Sequence, residues 1–168
     1  IGIKHSKSDY VALLNNDAIA NKDWLKELVL HMDQHKDSAA AVSKILKQTK
    51  GAKTNKFLID TTGDFYSIWG MPFPRGRDEI DEGQYDKKEE VFGACGGAVI
   101  YRREYLARDI GLFDEAFFAY YEDTDLSFRI RRAGYKIFYV PTSIVHHKVG
   151  ATSGGVKNKF TRYHSVKN

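Results

Sequence analysis

The residues of this 168-residue chain with types suited to chemistry gather at three places. The first is Asn15–Asn16–Asp17, which follows the apolar run Tyr10–Leu14. A carboxylate beyond the end of a strand can hold a hard divalent cation, and that cation can bridge phosphate oxygens. The same tripeptide also fits an Asx turn capping a following helix. The second is Tyr120–Tyr121–Glu122–Asp123–Thr124–Asp125, with three carboxylates in four positions at an expected helix start. The helix dipole and capping account for one or two acids there, not for three beside aromatic rings. A carboxylate among apolar rings and other acids gains a raised pKa and suits a general base. The third is His146–His147, closing a short extended piece. Neighbours in an extended chain point to opposite faces, so at most one serves a given site. An ordinary surface histidine is the simpler reading of either one alone.

These groups need a scaffold. Tyr10–Leu14 reads as a buried strand stopped by a polar turn. Asn21 is the expected N-cap of a helix whose Trp24, Leu25, Leu28, Val29 and Met32 fall at helical spacing. Ala39–Leu46 is a second strand, and the polar stretch 48–56 an exposed loop. Phe57–Ile59 and Phe65–Trp69 read as short strands around the Asp60–Gly63 turn. Pro72–Glu90 is charged and poor in apolar anchors, which predicts a long loop of the kind that forms lids. Glycines 93, 96 and 97 would let the backbone approach a ligand. Arg102–Asp109 is a short helix and Gly111–Phe118 a loop. A helix over Asp123–Ala133 buries Leu126, Ile130 and Ala133, and Gly134 stops it. Lys136–Val140 is a strand ended by Pro141, Ser143–His147 a further extended piece, and Lys157–Lys167 the start of another helix. The order strand–helix–strand followed by mixed elements predicts one α/β domain, residues 1–168.

Composition narrows the class. The chain is 42% hydrophobic with three prolines, so it can bury a core. A net charge of +4 favours anionic ligands such as nucleotide diphosphates, and no basic block marks a nucleic-acid tail. The single cysteine, Cys95, excludes an internal disulfide and reads as a small core residue. Its lone thiol makes a cytoplasmic location the expectation. No apolar stretch approaches the roughly 20 residues that cross a bilayer. The chain opens on Ile1 without a Met, inside an amphipathic segment, and is read as part of a longer protein. Arg129, Arg131 and Arg132 read as a solvated helix face with one ion pair. The aromatics Phe117, Phe118, Tyr120 and Tyr121 fit a core or a sugar-stacking surface equally.

Taken in order, Ser8–Asp17, Gly93–Arg103, Gly111–Arg129, Gly134–Tyr135, Val140–Pro141 and His147–Ser153 resemble the family 2 glycosyltransferases, nearest the rhamnosyltransferase-like branch. The resemblance covers most of the chain. It implies a GT-A fold, a mixed sheet flanked by helices, here lacking the N-terminal nucleotide-binding strands. It also implies inverting transfer from a nucleotide-diphosphate sugar, dTDP- or UDP-linked, to a hydroxyl of a saccharide or lipid-linked saccharide. Asn15–Asn16–Asp17 matches the family's metal motif, with Asn15 departing from the stricter Asp-X-Asp form. By the resemblance Asp17 and His147 hold Mg²⁺ or Mn²⁺, Asp123 is the base and Glu122 shapes the acceptor site. Asn15, Asn16, Gly96, Gly97, Tyr121 and Asp125 contact or support donor and acceptor.

The implied setting is cell-surface polysaccharide synthesis, at the cytoplasmic face of a membrane. Alone, the chain is expected to turn over little. An exposed sheet edge would let copies of it pair as a homo-oligomer. Two rival readings stand beside this one: a non-catalytic carbohydrate-binding or assembly module, and a metal-dependent phosphohydrolase using Asp17, Asp123 and His147.

Overall fold

The computed structural model describes residues 2–47, 57–69 and 71–148, with Lys159, Tyr163 and Lys167. The expected loop 48–56 lies outside the described residues. Of the stretch 157–167 only those three residues are described, each helical and exposed.

The elements run α1 (Gly2–His5), β1 (Tyr10–Leu14), β2 (Ala18–Ala20), α2 (Trp24–Gln34), β3 (Ser38–Lys47), β4 (Leu58–Thr61), β5 (Asp64–Tyr66), β6 (Pro72–Pro74) and β7 (Glu89–Val91). They continue with β8 (Ala98–Arg102), α3 (Arg103–Tyr105) leading into a π-helical turn Leu106–Ile110, α4 (Glu122–Arg132) and β9 (Lys136–His147). Among the described residues, seven strands form one mixed sheet, and β5 and β6 form a separate hairpin. The parallel pair β3 and β9 is the centre of that sheet. β3 also pairs antiparallel with β8 and then β4, and β9 with β7 and then β2.

β3 is central because its sequence allows both faces to be covered. Its small residues Ser38–Ala41 and the apolar run that follows leave only Lys47 partly exposed. On one face α2 sets Leu28 and Met32 against Ala41, Ile100 and Val140. On the other, α4 sets Leu126 and Ile130 against Val42, Val99, Tyr101, Ile137 and Tyr139. Full burial of Leu126 and Ile130 stabilises this layer by about 2–3 kcal/mol each before entropy is counted. Trp24 fixes the start of α2 by donating its indole N–H to Ser43 Oγ at 2.8 Å.

Several local expectations are corrected. α2 begins at Trp24, with Asp23 and not Asn21 at its N-cap; the Asn21 carbonyl accepts the Trp24 N–H, and its own N–H donates to the Ile144 carbonyl. Leu25 and Ala133 face outward, each lying off the stripe that packs on the sheet. β1 is half-buried, since β8 is its sole strand neighbour among the described residues. The strands expected around Asp60–Gly63 do not pair with each other: β4 joins β3 and β5 joins β6. Pro141 does not end a strand. β9 runs through it because the register with β3 jumps from Val140 to Ile144, and this bulge takes up the missing N–H.

The stretch 72–90 is not a free lid. It starts in β6, ends in β7 and is tied down between them. Lys44, nearly buried at 4% side-chain exposure, binds Asp81 at 3.0 Å and Asp86 at 2.6 Å. Lys47 pairs with Asp78, and Arg75 with Glu89. The arginines of α4 also do more than solvate a face. Arg129 pairs with Asp125, and Arg131 pairs with Glu90 while donating to the Val91 carbonyl at 3.0 Å.

Candidate active site

A cavity of about 980 Å³ opens where β1, β4, β5, β6 and the start of α4 meet the end of β9. Asn15, Gly96, Gly97, Tyr121, Glu122, Asp123 and His147 all line it. Asn16, Asp17 and Asp125 do not, and Asp17 is joined to the lining through His147. Asn16 is exposed in the turn after β1, and Asp125 is turned to Arg129, which donates to its Oδ2 at 2.7 and 3.0 Å.

One end of the cavity is a chain of hydrogen bonds. His147 Nδ1 lies 2.8 Å from Asp60 Oδ2, and its Nε2 lies 3.0 Å from Asp17 Oδ1. The hydrogen bond to Asp60, the strongest cause, raises the imidazole above its ordinary pKa against the opposing effect of burial. Asp17 sits here because the turn after β1 leads into β2, which pairs Ala18 with His147. That turn caps no helix, so the Asx-cap reading of Asn15–Asn16–Asp17 fails. Of the two histidines, His147 faces the cavity, while His146 turns to the ring of Phe57.

Asp60 escaped the sequence reading. Along β4, Thr61 pairs with Ile45 and Ile59 with Leu46, which leaves Asp60 as the extra residue of a bulge. A bulge re-aims a side chain, and this one turns Asp60 toward His147. Arg77, also in the cavity wall, stands 3.6 Å from the other Asp60 oxygen.

The other end is built on residues 93–97. The Gly96 N–H donates to Asp123 Oδ2 at 2.9 Å, and the Thr124 N–H donates to Asp123 Oδ1 at 2.8 Å. The Ala94 N–H donates to Ser127 Oγ at 3.0 Å, and Ser127 in turn donates to the Asp123 carbonyl at 2.7 Å. The Gly97 carbonyl accepts the Asn15 N–H at 3.0 Å. Gly93 exchanges two backbone hydrogen bonds with Asp64, at 2.8 and 3.1 Å. One five-residue segment therefore fixes β1, β5 and α4 relative to each other. The backbone approach expected at Gly96 takes the form of a donor to a carboxylate. A methyl at Gly96 would stand 3.6 Å from Asp123 Oδ2, an ordinary contact.

Three acids crowd this end. Burial raises Asp123 above the usual carboxylate range, opposed by the Gly96 and Thr124 N–H groups. Burial and then the Asp123 charge raise Glu122, and its buried Oε2 has no hydrogen-bond partner. Burial and then Asp123 push Asp64 up to about 7. Tyr120 and Tyr121, which lead into α4, both hold positive φ, 67° and 69°. Such backbone costs about 1–3 kcal/mol per residue and persists where surrounding structure enforces it, often at functional sites. Phe118 is 73% exposed and outside the core.

Atoms of Asp64, Cys95 and Asp123 lie within 4.8 Å of one another. Two carboxylates and a thiol give few oxygens for a magnesium-type ion. The Cys95 thiol is pushed well up by burial, so it is no nucleophile. The Asp17–His147 pair fits a divalent ion better. An oxygen and an imidazole nitrogen stand 3.0 Å apart, and a carboxylate orients the imidazole from its far side.

The family model for glycosyltransferase-like family 2 matches residues 1–164. The chain belongs to that family. Two curated relatives of this family 2 chain, both named N-acetylglucosaminyl-diphospho-decaprenol L-rhamnosyltransferase, come from the CDC 1551 and H37Rv strains of Mycobacterium tuberculosis. Each is 28% identical over 105 residues, 61% of this chain and 34% of the relative. The chain thus spans about a third of the length of the curated relatives it matches. A crystal structure of GalNAc-T7 with UDP, GalNAc and Mn²⁺ superposes with a TM-score of 0.64. The two are 17% identical, over 88% of this chain and 29% of that one. The family 2 chain therefore has the expected GT-A fold. Among its described residues no helix is long and apolar enough to cross a membrane.

Proposed function

We propose that this chain is the metal-binding and acceptor-facing part of a sugar transferase catalytic domain. The transferase takes a sugar from a dTDP- or UDP-linked donor and passes it to a hydroxyl of a saccharide or lipid-linked saccharide, with inversion. One observation carries the reading: Asp123, raised by burial and aimed by two backbone N–H groups, shares a cavity with His147, which is bonded to Asp17.

In this reading Asp17 and His147 hold Mg²⁺ or Mn²⁺, and Asp60 orients the imidazole. When bound, the ion supplies charge that stabilises the departing nucleoside diphosphate. Asp123 accepts the proton of the acceptor hydroxyl at a carboxylate oxygen that already accepts one backbone N–H and keeps a further lone pair. Glu122, with an unpartnered oxygen beside it, binds the acceptor. Tyr121, Asn15 and the 96–97 backbone shape the wall between donor and acceptor, while Asp125 supports α4 through Arg129 and Asn16 holds the turn. The relatives are named for L-rhamnosyl transfer to a diphospho-decaprenol, which supports a lipid-linked acceptor and rhamnosyl transfer here; synthesis of a surface polysaccharide at the cytoplasmic face of a membrane is the setting proposed for it. Spanning about a third of these relatives' length, the chain is expected to be nearly inactive alone.

The test is a screen of dTDP- and UDP-sugars with the full-length protein, using N-acetylglucosaminyl diphospho-lipid as acceptor. Transfer that a chelator stops and Mn²⁺ or Mg²⁺ restores supports the reading. Release of phosphate without sugar transfer, or transfer indifferent to chelator, contradicts it.

A further inference from the structure

We propose that Asp64 is a second working carboxyl of the cavity, donating a hydrogen bond as the neutral acid to an acceptor hydroxyl next to the one facing Asp123. The proposal rests on the transferase reading and deepens it.

The placement of Asp64 is built. Its backbone is clamped in both directions to Gly93, in the same segment that fixes Asp123 through Gly96. Gly93 packs close to this side chain: an added Cβ there would stand 3.4 Å from both Asp64 Cβ and Ser127 Oγ, an ordinary contact. Thr61 Oγ lies 3.1 Å from Asp64 Oδ1. Asp64 lines the cavity, and its carboxylate comes within 4.8 Å of that of Asp123. Two buried carboxylates at that spacing do not both ionise without a cation. The groups that bear on Asp64 from the surrounding elements are Asp123 of α4, Asp60 of β4, Cys95 and Arg77. Arg77 is the cation among them, and it is directed at Asp60.

Asp123 is the better base of the two, because its oxygens accept the Gly96 and Thr124 N–H groups and its negative charge is stabilised. Among the described residues Asp64 has no backbone N–H on its carboxyl, and the one donor there, the Thr61 hydroxyl, is outweighed by burial and the Asp123 charge, so Asp64 retains the proton. A base and an acid side by side match a sugar ring, which carries hydroxyls on neighbouring carbons. One hydroxyl gives its proton to Asp123, and the next accepts the proton-bearing oxygen of Asp64.

The experiment compares full-length wild type, D64N, D64A and D123N, with dTDP-rhamnose as donor and N-acetylglucosaminyl diphospho-lipid as acceptor, between pH 5.5 and 9. Wild-type kcat/KM for the acceptor should fall as pH rises through about 7, approaching tenfold per pH unit. D64N keeps an N–H donor and cannot ionise. It should stay within about threefold of wild type at pH 6 and lack the alkaline fall. D64A should lose about tenfold or more in kcat/KM at pH 6. Circular dichroism checks folding, and if D64A unfolds, the D64N profile decides alone. An alkaline fall in D64N equal to that of wild type overturns the proposal, as does a folded D64A with unchanged rate. If D123N abolishes transfer while both Asp64 variants behave as wild type, the role of Asp64 falls and the transferase reading stands. Absence of transfer by wild type with dTDP-rhamnose and with every dTDP- and UDP-sugar of the screen overturns both.

Discussion

At the Asp17–His147–Asp60 end of the cavity, acids are matched to a basic partner: one imidazole touches both carboxylates, and Arg77 stands by Asp60. At the Asp123–Glu122–Asp64 end, acid stands beside acid, and the compensation comes from hydrogen bonds, two backbone N–H groups on Asp123 and the Thr61 hydroxyl on Asp64. The first arrangement draws the His147 imidazole toward its charged form, and the second drives carboxyls toward the neutral form. Charged ligands with oriented rings suit a cation. A poised, water-poor carboxyl suits proton transfer. The same residue type thus does two jobs some strands apart, and the division is made by neighbours.

The sharpest way to break this contrast is Asp123→Asn in the full-length protein. It keeps the shape and removes the base, so transfer should fall by about 10²–10⁴-fold, read as kcat with donor and acceptor saturating. The melting temperature should hold or fall by a few degrees, because relief of the buried charge is offset where the amide NH2 meets one of the two backbone N–H donors. If D123N transfers at the wild-type rate, the acid end is capping and the non-catalytic module is the better description.

The metal end should respond through ion affinity. His147→Ala removes a proposed ligand and should raise the Mn²⁺ concentration needed for half-maximal transfer by well over tenfold. Asp60→Asn leaves both ligands and disturbs only the orientation of the ring, so a loss of about 10–100-fold in metal affinity is expected. Titration of Mn²⁺ into each protein, followed by electron paramagnetic resonance, gives both numbers. An Asp60 variant that binds Mn²⁺ like wild type would show that the bulge in β4 serves the strand alone.

How much of this was legible in the sequence follows the same division. Asp123 could be read because an excess of acids at a helix start is local. The central strands could be read because apolar runs bounded by turns are local too. His147 was visible as one of a pair, and which ring faced inward depended on the register of β9, set by a bulge three residues long that includes Pro141. Asp60 and Asp64 were invisible. Asp60 matters because one residue of β4 is left unpaired, and Asp64 because β5 bridges to Gly93 far along the chain. Their types and spacing within Asp60–Asp64 are those of any polar turn. The charged stretch 72–90 misled for a related reason, since its anchor is a lysine on β3 and not an apolar residue of its own.

Stability against pH probes the acid end without any substrate. Burial raises Asp64 to about 7 in the folded protein, whereas its ordinary value is 3.8. Between those values the folded state holds a proton that the unfolded state has lost, so stability falls as pH rises and levels off above about 7. Asp64→Asn removes that dependence. D64N and wild type should therefore melt at similar temperatures near pH 4, and the variant should gain steadily up to pH 7. His31 acts in the opposite sense in both proteins: buried against His35 and Phe138 and pushed down to about 4, it costs stability as pH falls below its ordinary value. The difference between the two melting curves cancels it. A gap that stays constant from pH 4 to 8 would mean that Asp64 is ionised throughout, and the acid end would then resemble the metal end.

The smallest effect expected is at Asp125, which belongs to the sequence motif of the acid end and to neither end of the cavity. Its partner Arg129 sits one helical turn on, both side chains are about 30% exposed, and Arg129 also donates to the Ile110 carbonyl at 3.1 Å. A pair of this exposure contributes about 0.3–0.5 kcal/mol. Asp125→Asn should therefore lower the melting temperature by a degree or two at most and leave kcat within about twofold of wild type. A loss of rate approaching that of D123N, with folding intact, would show that the third acid reaches the reaction through α4. The line between the working and the supporting carboxylates would then have to move one turn along the helix.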